Sequence, residues 1–583
     1  MANIKIGALG GLGENGKNMT IVEVDSRIFI LDCGLKYPEI DMYGVDAVVP
    51  DMSYLEQNIN RIDGIFISHG HDDHIGALPY LLEKINVPVF GTHFTICLIE
   101  DLLTEMDMNI RKYRLYRINE NKVLTFVNST VSFFNVSHSI PEAVGVSINT
   151  PDGSIVYITD FTFVVSNAFK YKTSFDKITE IGKNGVLVAL PESVGTNSIG
   201  KTSDDTLLEH NLKRSLRRQN RIIITAFSSD LARIQKVIDL SIAHNKRVAI
   251  VGRRAKNIIT IAMNANYLKI PKDKLVDIET LSEEQDNSDL VIIVTGAKGS
   301  LYSSITRMAQ GLDRNITINK DDIVILMTPP VPGSQQHSTE ALNILYEKDI
   351  DVTMYDKATL RSSHAREDDL KLLYQMLKPK YVIPIKGEYR HLHKHYEIAL
   401  AAGFNEENVK ILENGEFLHI NTKKIEEVEI IETQDVIIDG NFKNINISVI
   451  KERENIAKEG IILINLCLDL NKKEIKLLPE VHTKGFVNKD LELLQSSIIE
   501  FATKITNGHF LKPIISIEGL KVGISEEVSK LIFRYTRKRP VVLVSIGEIL
   551  KETPKESKIY KRPQHKNNKN QKKKQNNKPK ETQ

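Results

Sequence analysis

Residues 68–76, SHGHDDHIG, hold three histidines and two aspartates within six consecutive positions. The cluster directly follows the apolar run GIFI, which predicts a buried strand that ends at the cluster. At a strand end His69 and His71 project to the same side, and the turn that follows brings Asp73 and His74 back toward them. Neutral imidazoles and carboxylates are preferred zinc ligands, so this spacing predicts a metal site with enough groups for two ions. The alternative interpretation is a solvent-exposed polar loop.

Further candidate ligands stand at the ends of later predicted strands. His138 ends TVSFFNVSH, and Asp160 ends SIVYITD. Alone, each is typical of a hydrogen-bonded strand end, but beside the histidine cluster they supply the extra ligands that a two-metal site needs. Asp32 ends RIFILD and is predicted to orient a ligand by accepting a hydrogen bond.

The stretch GLGENG at residues 11–16 fits the pattern GxGxxG, and Asp32 lies at a distance suited to binding a ribose. A dinucleotide site requires a helix after these glycines, whereas KNMTIVEV alternates like a strand. The glycines therefore predict a tight, hairpin-like turn near the site.

The pattern of apolar residues predicts a layered α/β protein. Residues 3–160 contain short strands with helices between some of them, and residues 205–360 alternate helix and strand, which predicts a parallel sheet covered by helices. A last α+β segment runs from about residue 446 to 555.

Composition sets the broad class. With 583 residues, 41% hydrophobic and 26% charged, the chain is expected to form several globular domains. No apolar stretch is long enough to span a bilayer and the N-terminus does not resemble a signal peptide, so we expect a cytoplasmic protein without a membrane segment. Cys33, Cys97 and Cys467 are far apart and predict neither a disulfide framework nor a thiolate zinc site.

The C-terminal tail is strongly basic, although the net charge of the whole chain is only +2. Residues 561–583 contain nine Lys or Arg and one acidic residue, with no apolar side chain to bury, which predicts a disordered segment. Two interpretations stay open: an electrostatic arm for RNA or another anionic partner, and a solvated tail without a partner.

These motifs together resemble the ribonuclease J family, bacterial enzymes in which a β-CASP domain is inserted into a metallo-β-lactamase fold. The resemblance covers about residues 3–550. Besides HxHxDH and the two strand-end ligands, it rests on GGLGENGKNMTIVE, YPEIDMYGVDAVVPDMSYL, SHSIPEAVG, VAIVGR, TRMAQG, SSHAREDDLKLLYQMLKPKYVIPIKGEYRHL and GFVNKDLELL.

The resemblance implies an α/β fold, a metallo-β-lactamase αββα sandwich with an inserted β-CASP α/β domain and a small C-terminal α+β domain. It divides the sandwich into residues 1–205 and residues 366–445, the second part including a linker. The remaining segments are the β-CASP domain at 206–365, the C-terminal domain at 446–555 and the basic tail at 556–583.

The resemblance also implies two zinc ions in each subunit. One is expected on His69, His71 and His138, and the other on Asp73, His74 and Asp160, with Asp160 bridging. Asp73 and His364 are the expected catalytic residues, His364 contacting the phosphate or assisting the leaving oxygen. The expected substrate-binding residues are Leu360, Arg361, Ser362, Ser363 and His364. The implied activity is 5′-to-3′ exonuclease cleavage of RNA, with endonuclease cleavage as a second activity.

The chain departs from the family at a residue that helps to ligate the second zinc. Lys386, in IKGEYRHL, stands where the family has histidine, and a protonated lysine has no lone pair to donate. The second metal is therefore expected to bind weakly, unless burial deprotonates Lys386. His391, His393 and His395 are considered as substitutes, but a polar helix face is the favoured explanation for them.

Other departures lie in the RNA-contacting loops. Leu360 replaces a histidine, FSSDLAR and TGAKGSLYSS differ from the usual substrate-binding segments, and PES at 191–193 leaves Glu192 as the stand-in for an aspartate. These changes predict a diverged second paralogue within the family, with reduced ribonuclease activity in RNA maturation and decay.

Two functions from different classes remain. The first is a zinc-dependent ribonuclease, and the second is a weakly active or non-catalytic RNA-binding scaffold subunit. A small-molecule metallohydrolase is disfavoured, because such an enzyme has no need of the inserted domain. The expected partners are RNA, further copies in a homodimer or tetramer, another ribonuclease J in a hetero-complex, and components of an RNA degradosome.

Overall fold

The structure is a computed structural model, and strands and helices are numbered in chain order. It describes residues 2–39, 42–164, 171–202, 205–280, 287–296, 298–330, 334–356, 360–440 and 442–548. The basic tail at 556–583 lies outside the described residues. The chain forms two compact units that divide between Ile450 and Lys451.

An eight-stranded sheet forms one layer of the first unit. Its strands are β1 (Ile4–Gly10), β2 (Met19–Val24), β3 (Arg27–Leu31), β5 (Ile62–Phe66), β6 (Val89–Thr92), β7 (Leu115–Ile118), β20 (Glu416–Ile420) and β21 (Ile425–Ile430). The strand order is β21-β20-β1-β2-β3-β5-β6-β7. Because β1 and β2 pair antiparallel, residues 11–16 form the turn that the sequence predicts there.

A six-stranded sheet packs against the first. Its strands are β8 (Val123–Phe126), β9 (Ser129–Asn135), β10 (Val144–Thr150), β11 (Gly153–Ile158), β12 (Val186–Pro191) and β19 (Tyr381–Val382), in the order β19-β12-β11-β10-β9-β8. Alternate side chains of both sheets point inward, and Ile6 and Phe29 of the first sheet share a buried core with Phe133 and Tyr157 of the second.

Helices cover both outer faces of this sandwich. The first sheet carries α1 (Ser53–Gln57), α2 (Asp72–Ile75), α3 (Leu78–Lys84) and α4 (His93–Glu105). The second carries α5 (Phe175–Asn184), α11 (Glu367–Leu377) and α12 (Tyr389–Ala401). The αββα arrangement predicted from the sequence is therefore confirmed.

A third, fully parallel sheet lies between β12 and β19 in the sequence. Its strands are β13 (Ile222–Phe227), β14 (Arg247–Val251), β15 (Leu275–Val276), β16 (Leu290–Gly296), β17 (Ile323–Leu326) and β18 (Asp351–Met354). The order is β15-β14-β16-β13-β17-β18. The helices of this segment are α6 (Thr206–Leu216), α7 (Leu231–Ala243), α8 (Arg253–Asn264), α9 (Lys298–Gln310) and α10 (Gln335–Glu347). Strands buried on both faces explain the continuous apolar runs in the sequence.

Two three-stranded sheets complete the described chain. The first unit contains β4 (Ala47–Val49), β22 (Val436–Asp439) and β23 (Phe442–Lys443). The second contains β24 (Ile461–Asp469), β25 (Glu474–Lys484), α14 (Leu491–Phe510), α15 (Ile517–Thr536) and β26 (Val541–Glu548), and α13 (Ile447–Glu459) precedes it. Both long helices pack on one face of this sheet. No helix within the described ranges is long and apolar enough to cross a membrane.

Candidate metal centre

The six predicted metal ligands lie in loops and one short helix that follow the carboxyl ends of three strands. His69 and His71 follow β5, Asp73 and His74 lie in α2, and the others follow β9 and β11. The structure brings all six together in two groups of donor atoms that share Asp160, which also belongs to a third group with Glu192 and His364. Their assignment as ligands stays a prediction.

The first group consists of three imidazoles and one carboxylate. His71 Nδ1 lies 3.1 Å from Nε2 of both His69 and His138. Asp160 Oδ2 lies 3.1 Å from His69 Nε2 and 3.6 Å from His138 Nε2. Ligands at the usual zinc distances of ~2.0–2.2 Å are separated by about 3.3–3.6 Å in a tetrahedron. The four donor atoms therefore fit one zinc ion.

The outer nitrogen of each imidazole in this group has an acceptor. His71 Nε2 lies 3.3 Å from the carbonyl oxygen of Ser229, and His138 Nδ1 lies 2.9 Å from that of Ser363. His69 Nδ1 lies 3.0 Å from Ser68 Oγ. These bonds fix each tautomer with its N–H outward, which leaves the inward nitrogen free to donate a lone pair.

Burial keeps the three histidines neutral. It lowers the pKa of His69 to about 3, and it also lowers the pKa of His71 and takes the pKa of His138 well below its ordinary value. Asp160 raises the pKa of each histidine, but burial outweighs this effect. A neutral imidazole is the form that binds a metal, so the first group is ready to receive one near neutral pH.

The second group already contains a cationic side chain. Lys386 Nζ lies 2.7 Å from His74 Nε2 and 3.0 Å from Asp73 Oδ2, and it also donates to Asp160 Oδ1. These are the three residues expected to hold the second zinc. The donor atoms are thus oriented as predicted, but the ammonium group lies among them, and the residues present do not fit a second ion.

Burial opposes the charge of Lys386, but the carboxylates of Asp160 and Asp73 outweigh burial and raise the lysine pKa. The possibility that burial deprotonates this lysine is therefore not favoured. For His74, burial and Lys386 lower the pKa, but three carboxylates outweigh them and raise it well above its ordinary value. Only one proton can lie between Lys386 Nζ and His74 Nε2, which are 2.7 Å apart. Lysine has the higher ordinary pKa, so this proton stays on Lys386.

Asp32 has the orienting role that the sequence predicts. Its Oδ2 accepts a hydrogen bond from His74 Nδ1 at 2.7 Å, and it also accepts from Ser68 Oγ at 2.8 Å and Tyr157 OH at 2.7 Å. Asp32 is fully buried in a left-handed conformation with φ 62°. The carboxylate fixes His74 so that its Nε2 faces Lys386.

His364 lies beside the second group and is paired with Glu192. His364 Nδ1 lies 2.7 Å from Glu192 Oε2 and 3.4 Å from Asp160 Oδ1. Burial opposes protonation of His364, but the two carboxylates outweigh it and raise the pKa to about 10. Glu192 also accepts the backbone N–H groups of Phe161 and Ala365. The imidazole is therefore a fixed cation at neutral pH.

The other predicted substrate-binding residues have different environments. Leu360 is 4% exposed and belongs to a hydrophobic core, so its side chain does not face a ligand. Arg361 donates to Ser137 Oγ at 2.8 Å and to Thr162 Oγ1. Ser362 Oγ accepts the backbone N–H of His364, and Ser363 offers its carbonyl oxygen to His138.

The three histidines considered as substitutes for the missing ligand lie elsewhere. All three are on α12, but only His393 is exposed. His395 is fully buried between Ser193 Oγ and Tyr374 OH, and His391 accepts the backbone N–H of Glu388. None of them belongs to a group of potential metal ligands in the described part of the chain. A polar helix face explains His393 but not the two buried histidines.

A cleft of about 330 Å³ opens beside the site. His71 and Asp73 line it together with side chains of α4 and of the segment after β13. The lining also includes the carboxylates of Asp101 and Glu105. The cleft lies between the sandwich and the inserted parallel sheet, so a substrate there would contact both.

Several residues of the site were not predicted from the sequence. Asn18 Nδ2 donates to Asp73 Oδ2 at 3.0 Å, and Ser68 links Asp32 to His69. Both residues lie within quoted motifs, in KNMTIVEV and SHGHDDHIG, so their polarity next to the ligands was an available signal. The carbonyl oxygen of Ser229 has no such signal, because any residue at that position carries the same group.

Four segments of the chain match known protein families. Residues 12–198 match the metallo-beta-lactamase superfamily, 219–345 the ribonuclease J beta-CASP domain and 448–549 the ribonuclease J C-terminal domain. Residues 357–409 match the Zn-dependent metallo-hydrolase RNA specificity domain. Similar full-length proteins decide the assignment. Ribonuclease J2 of Bacillus subtilis is 32% identical over 558 residues, covering 94% of this chain and 99% of the relative. The chain belongs to the ribonuclease J family.

Other members of the ribonuclease J family are equally similar. Ribonuclease J 2 of Streptococcus pyogenes is 34% identical, covering 94% of this chain and all of the relative. Ribonuclease J 2 of Staphylococcus aureus is 32% identical, and the alignment covers 94% of this chain and 98% of the relative. The predicted similarity to a second ribonuclease J paralogue is confirmed, and so is the predicted enzyme class, since this family consists of metal-dependent ribonucleases.

Solved structures add a comparison of fold. A protein of unknown function from Enterococcus faecalis V583 aligns with a TM-score of 0.50 at 16% identity. The alignment covers 72% of this chain and all of that protein. At this level of identity the similarity concerns the fold alone.

Proposed function

We propose that this protein is a zinc-dependent ribonuclease that degrades RNA from the 5′ end, with endonuclease cleavage as a second activity and at a reduced rate. The observation that carries this proposal is the first group of donor atoms, where three neutral imidazoles and one carboxylate oxygen converge at zinc-like spacing. Family membership supplies the RNA substrate, and the match of residues 357–409 to an RNA specificity domain supports it.

A zinc ion held by His69, His71, His138 and Asp160 would activate water near neutral pH and offset negative charge on the phosphate. The other steps fall to the protein. Asp160 is held in a left-handed conformation with φ 47°, which directs one oxygen to the imidazoles and the other toward Lys386 and His364. The Asp160 carboxylate therefore contacts both the proposed zinc ligands and the two groups that carry a proton, Lys386 and His364.

His364 is the proposed proton donor to the leaving oxygen. Its raised pKa keeps it protonated near neutral pH, and Glu192 fixes the ring through Nδ1. The side chain is 29% exposed, so the ring retains access to a bound phosphate. A positioned acid of this kind contributes roughly 10²–10⁴-fold to a rate.

Asp73 is the second proposed catalytic residue. Its side chain is 31% exposed and lines the cleft, while Lys386 and His74 contact Oδ2. Burial raises the pKa of Asp73, but these neighbours outweigh burial and hold the pKa well below its ordinary value. The group is therefore an ionised carboxylate at the floor of the cleft. We propose that it orders the attacking water by accepting a hydrogen bond.

One observation favours a different function. Lys386 lies among the ligands expected for the second zinc. Loss of a catalytic metal ion is expected in an RNA-binding scaffold subunit that no longer cleaves RNA. Such a subunit would act in a hetero-complex with another ribonuclease J or in an RNA degradosome.

We also propose, from the family resemblance, that the chain forms homodimers or tetramers, which sedimentation velocity tests directly.

The decisive experiment is a time course on 5′-monophosphorylated RNA labelled at either end. Wild type is compared with His138→Ala, which removes a zinc ligand, and with His393→Ala, an exposed histidine on α12. We expect full-length RNA to disappear with wild type and with His393→Ala, and to stay intact with His138→Ala. If the folded, zinc-loaded wild type leaves the RNA intact, the scaffold function is favoured instead.

A further inference from the structure

Lys386 is buried, and its side chain cannot leave the site without opening the core. It is 3% exposed and its φ is 55°. Its carbonyl oxygen accepts the backbone N–H of Ser193, and Gly387 N donates to the carbonyl oxygen of Gly11. The backbone is thus fixed on both sides of the residue, between the end of β19 and the turn after β1.

The ammonium group uses its full hydrogen-bonding capacity on the second group of ligands. A lysine ammonium has three N–H donors and no acceptor. Three acceptors surround Nζ, namely Asp73 Oδ2 at 3.0 Å, His74 Nε2 at 2.7 Å and Asp160 Oδ1. No donor remains for a scissile phosphate, so Lys386 is bound to the site itself and not poised to bind substrate.

We propose that Lys386 is a built-in replacement for the second metal ion, so that each chain binds one zinc at His69, His71, His138 and Asp160. Asp160 then bridges the zinc and the ammonium group as it would bridge two metals. A divalent ion in the second position would lie within ligand distance of a positive charge, and the same lone pairs cannot serve both cations. This inference rests on the proposed metal site.

The replacement also explains why Asp73, His74 and Asp160 are retained although the histidine of the family is replaced by Lys386. Asp160 is buried and Asp73 is 31% exposed, and an unpaired charge on the buried carboxylate would be costly. Lys386 supplies one positive charge within hydrogen-bond reach of both carboxylates. His74 accepts the third N–H and is itself fixed by Asp32. The arrangement is therefore complete with a single bound ion.

Metal content tests the inference without reference to activity. Full-length protein is stripped with a chelator, saturated with Zn²⁺ alone, desalted and measured by plasma mass spectrometry. We expect one zinc per chain in wild type and two in Lys386→His, which restores a lone pair at this position. Lys386→Met serves as a second variant if the histidine variant does not fold, and it too should gain zinc because the competing charge is gone.

Two zinc ions per wild-type chain would overturn the inference. An unchanged ratio of one in a folded Lys386→His protein, or in Lys386→Met where that variant is needed, would overturn it as well. The same samples are assayed on RNA, which separates the two proposals. Cleavage with two zinc ions refutes the single-ion site but not the ribonuclease, whereas one zinc without cleavage refutes only the ribonuclease.

Discussion

Glu192 Oε2 lies 2.7 Å from Nδ1 of His364, although 172 residues separate them in sequence. The carboxylate follows β12 and the imidazole precedes α11, so the pair forms only when the sandwich is assembled from both parts of the chain. Because Glu192 is the largest influence that raises the pKa of His364, it controls the proton that we propose the enzyme delivers.

Replacing Glu192 by glutamine is expected to move the alkaline limit of activity to lower pH. Wild-type His364, with a pKa near 10, stays protonated up to that pH, and removing the negative charge lowers the pKa. The pH–rate profile of Glu192→Gln should therefore decline at a lower pH, with a loss of about tenfold or more near pH 9. The glutamine oxygen can still accept the N–H groups of Phe161 and Ala365. Superimposable profiles would show that Glu192 does not govern the acid.

Ser68 is expected to support zinc affinity without touching the ion. In Ser68→Ala, His69 Nδ1 loses its acceptor and Asp32 loses a donor. Removing such a supporting group costs roughly 10–100-fold in metal affinity, which competition with a chromophoric chelator measures. Ser496→Ala, at an exposed position on α14, is the control. Equal affinities for both variants would contradict the role assigned to Ser68.

The close approach of two loops at Gly34 excludes any side chain. A Cβ at this position would lie 1.6 Å from the carbonyl oxygen of Asp73. Gly34→Ala is therefore expected to displace the residues that carry the ligands and to destabilise the protein by at least about 1–3 kcal/mol. Thermal unfolding with and without zinc measures both effects. Gly508→Ala, where a Cβ meets nothing within 4 Å, should leave zinc binding unchanged.

His395 is expected to make the fold sensitive to acid. Its pKa is lowered to about 3 by burial, whereas the unfolded chain takes up this proton near pH 6.5. The stability that depends on the neutral ring is present above pH 6.5 and is lost as the pH falls toward 3, by roughly 1.4 kcal/mol per pH unit. His395→Gln should show a shallower decline in the free energy of unfolding than the control His393→Gln, which replaces an exposed side chain on α12. Equal pH dependence of the free energy of unfolding in the two variants would contradict this role of His395.

The sequence predicted that the candidate ligands lie close together, because much of that information is local. Four candidate ligands lie within six residues, and the other two each end an apolar strand. The ends of these strands, which belong to both sheets, meet at one edge of the sandwich. The parallel sheet at 222–354 was predictable for a similar reason, since its strands are continuous apolar runs separated by amphipathic helices.

The remaining features depend on packing between distant segments. Lys386 reaches the second group only because β19 pairs with β12, and β12 with β11, which places the end of each strand beside the next. The sequence showed that a ligand was missing there but not that the lysine ammonium lies among the others. The burial of Leu360 likewise depends on a core that no local pattern reveals.

A zinc titration of metal-free protein, with cleavage of 5′-monophosphorylated RNA as the readout, tests both the ribonuclease activity and the single-ion site. We predict that the rate rises with added zinc and reaches its plateau at one equivalent per chain, and that His138→Ala stays inactive throughout. A plateau only at two equivalents would contradict the single-ion site, and no cleavage at any zinc concentration by the folded protein would contradict the ribonuclease itself.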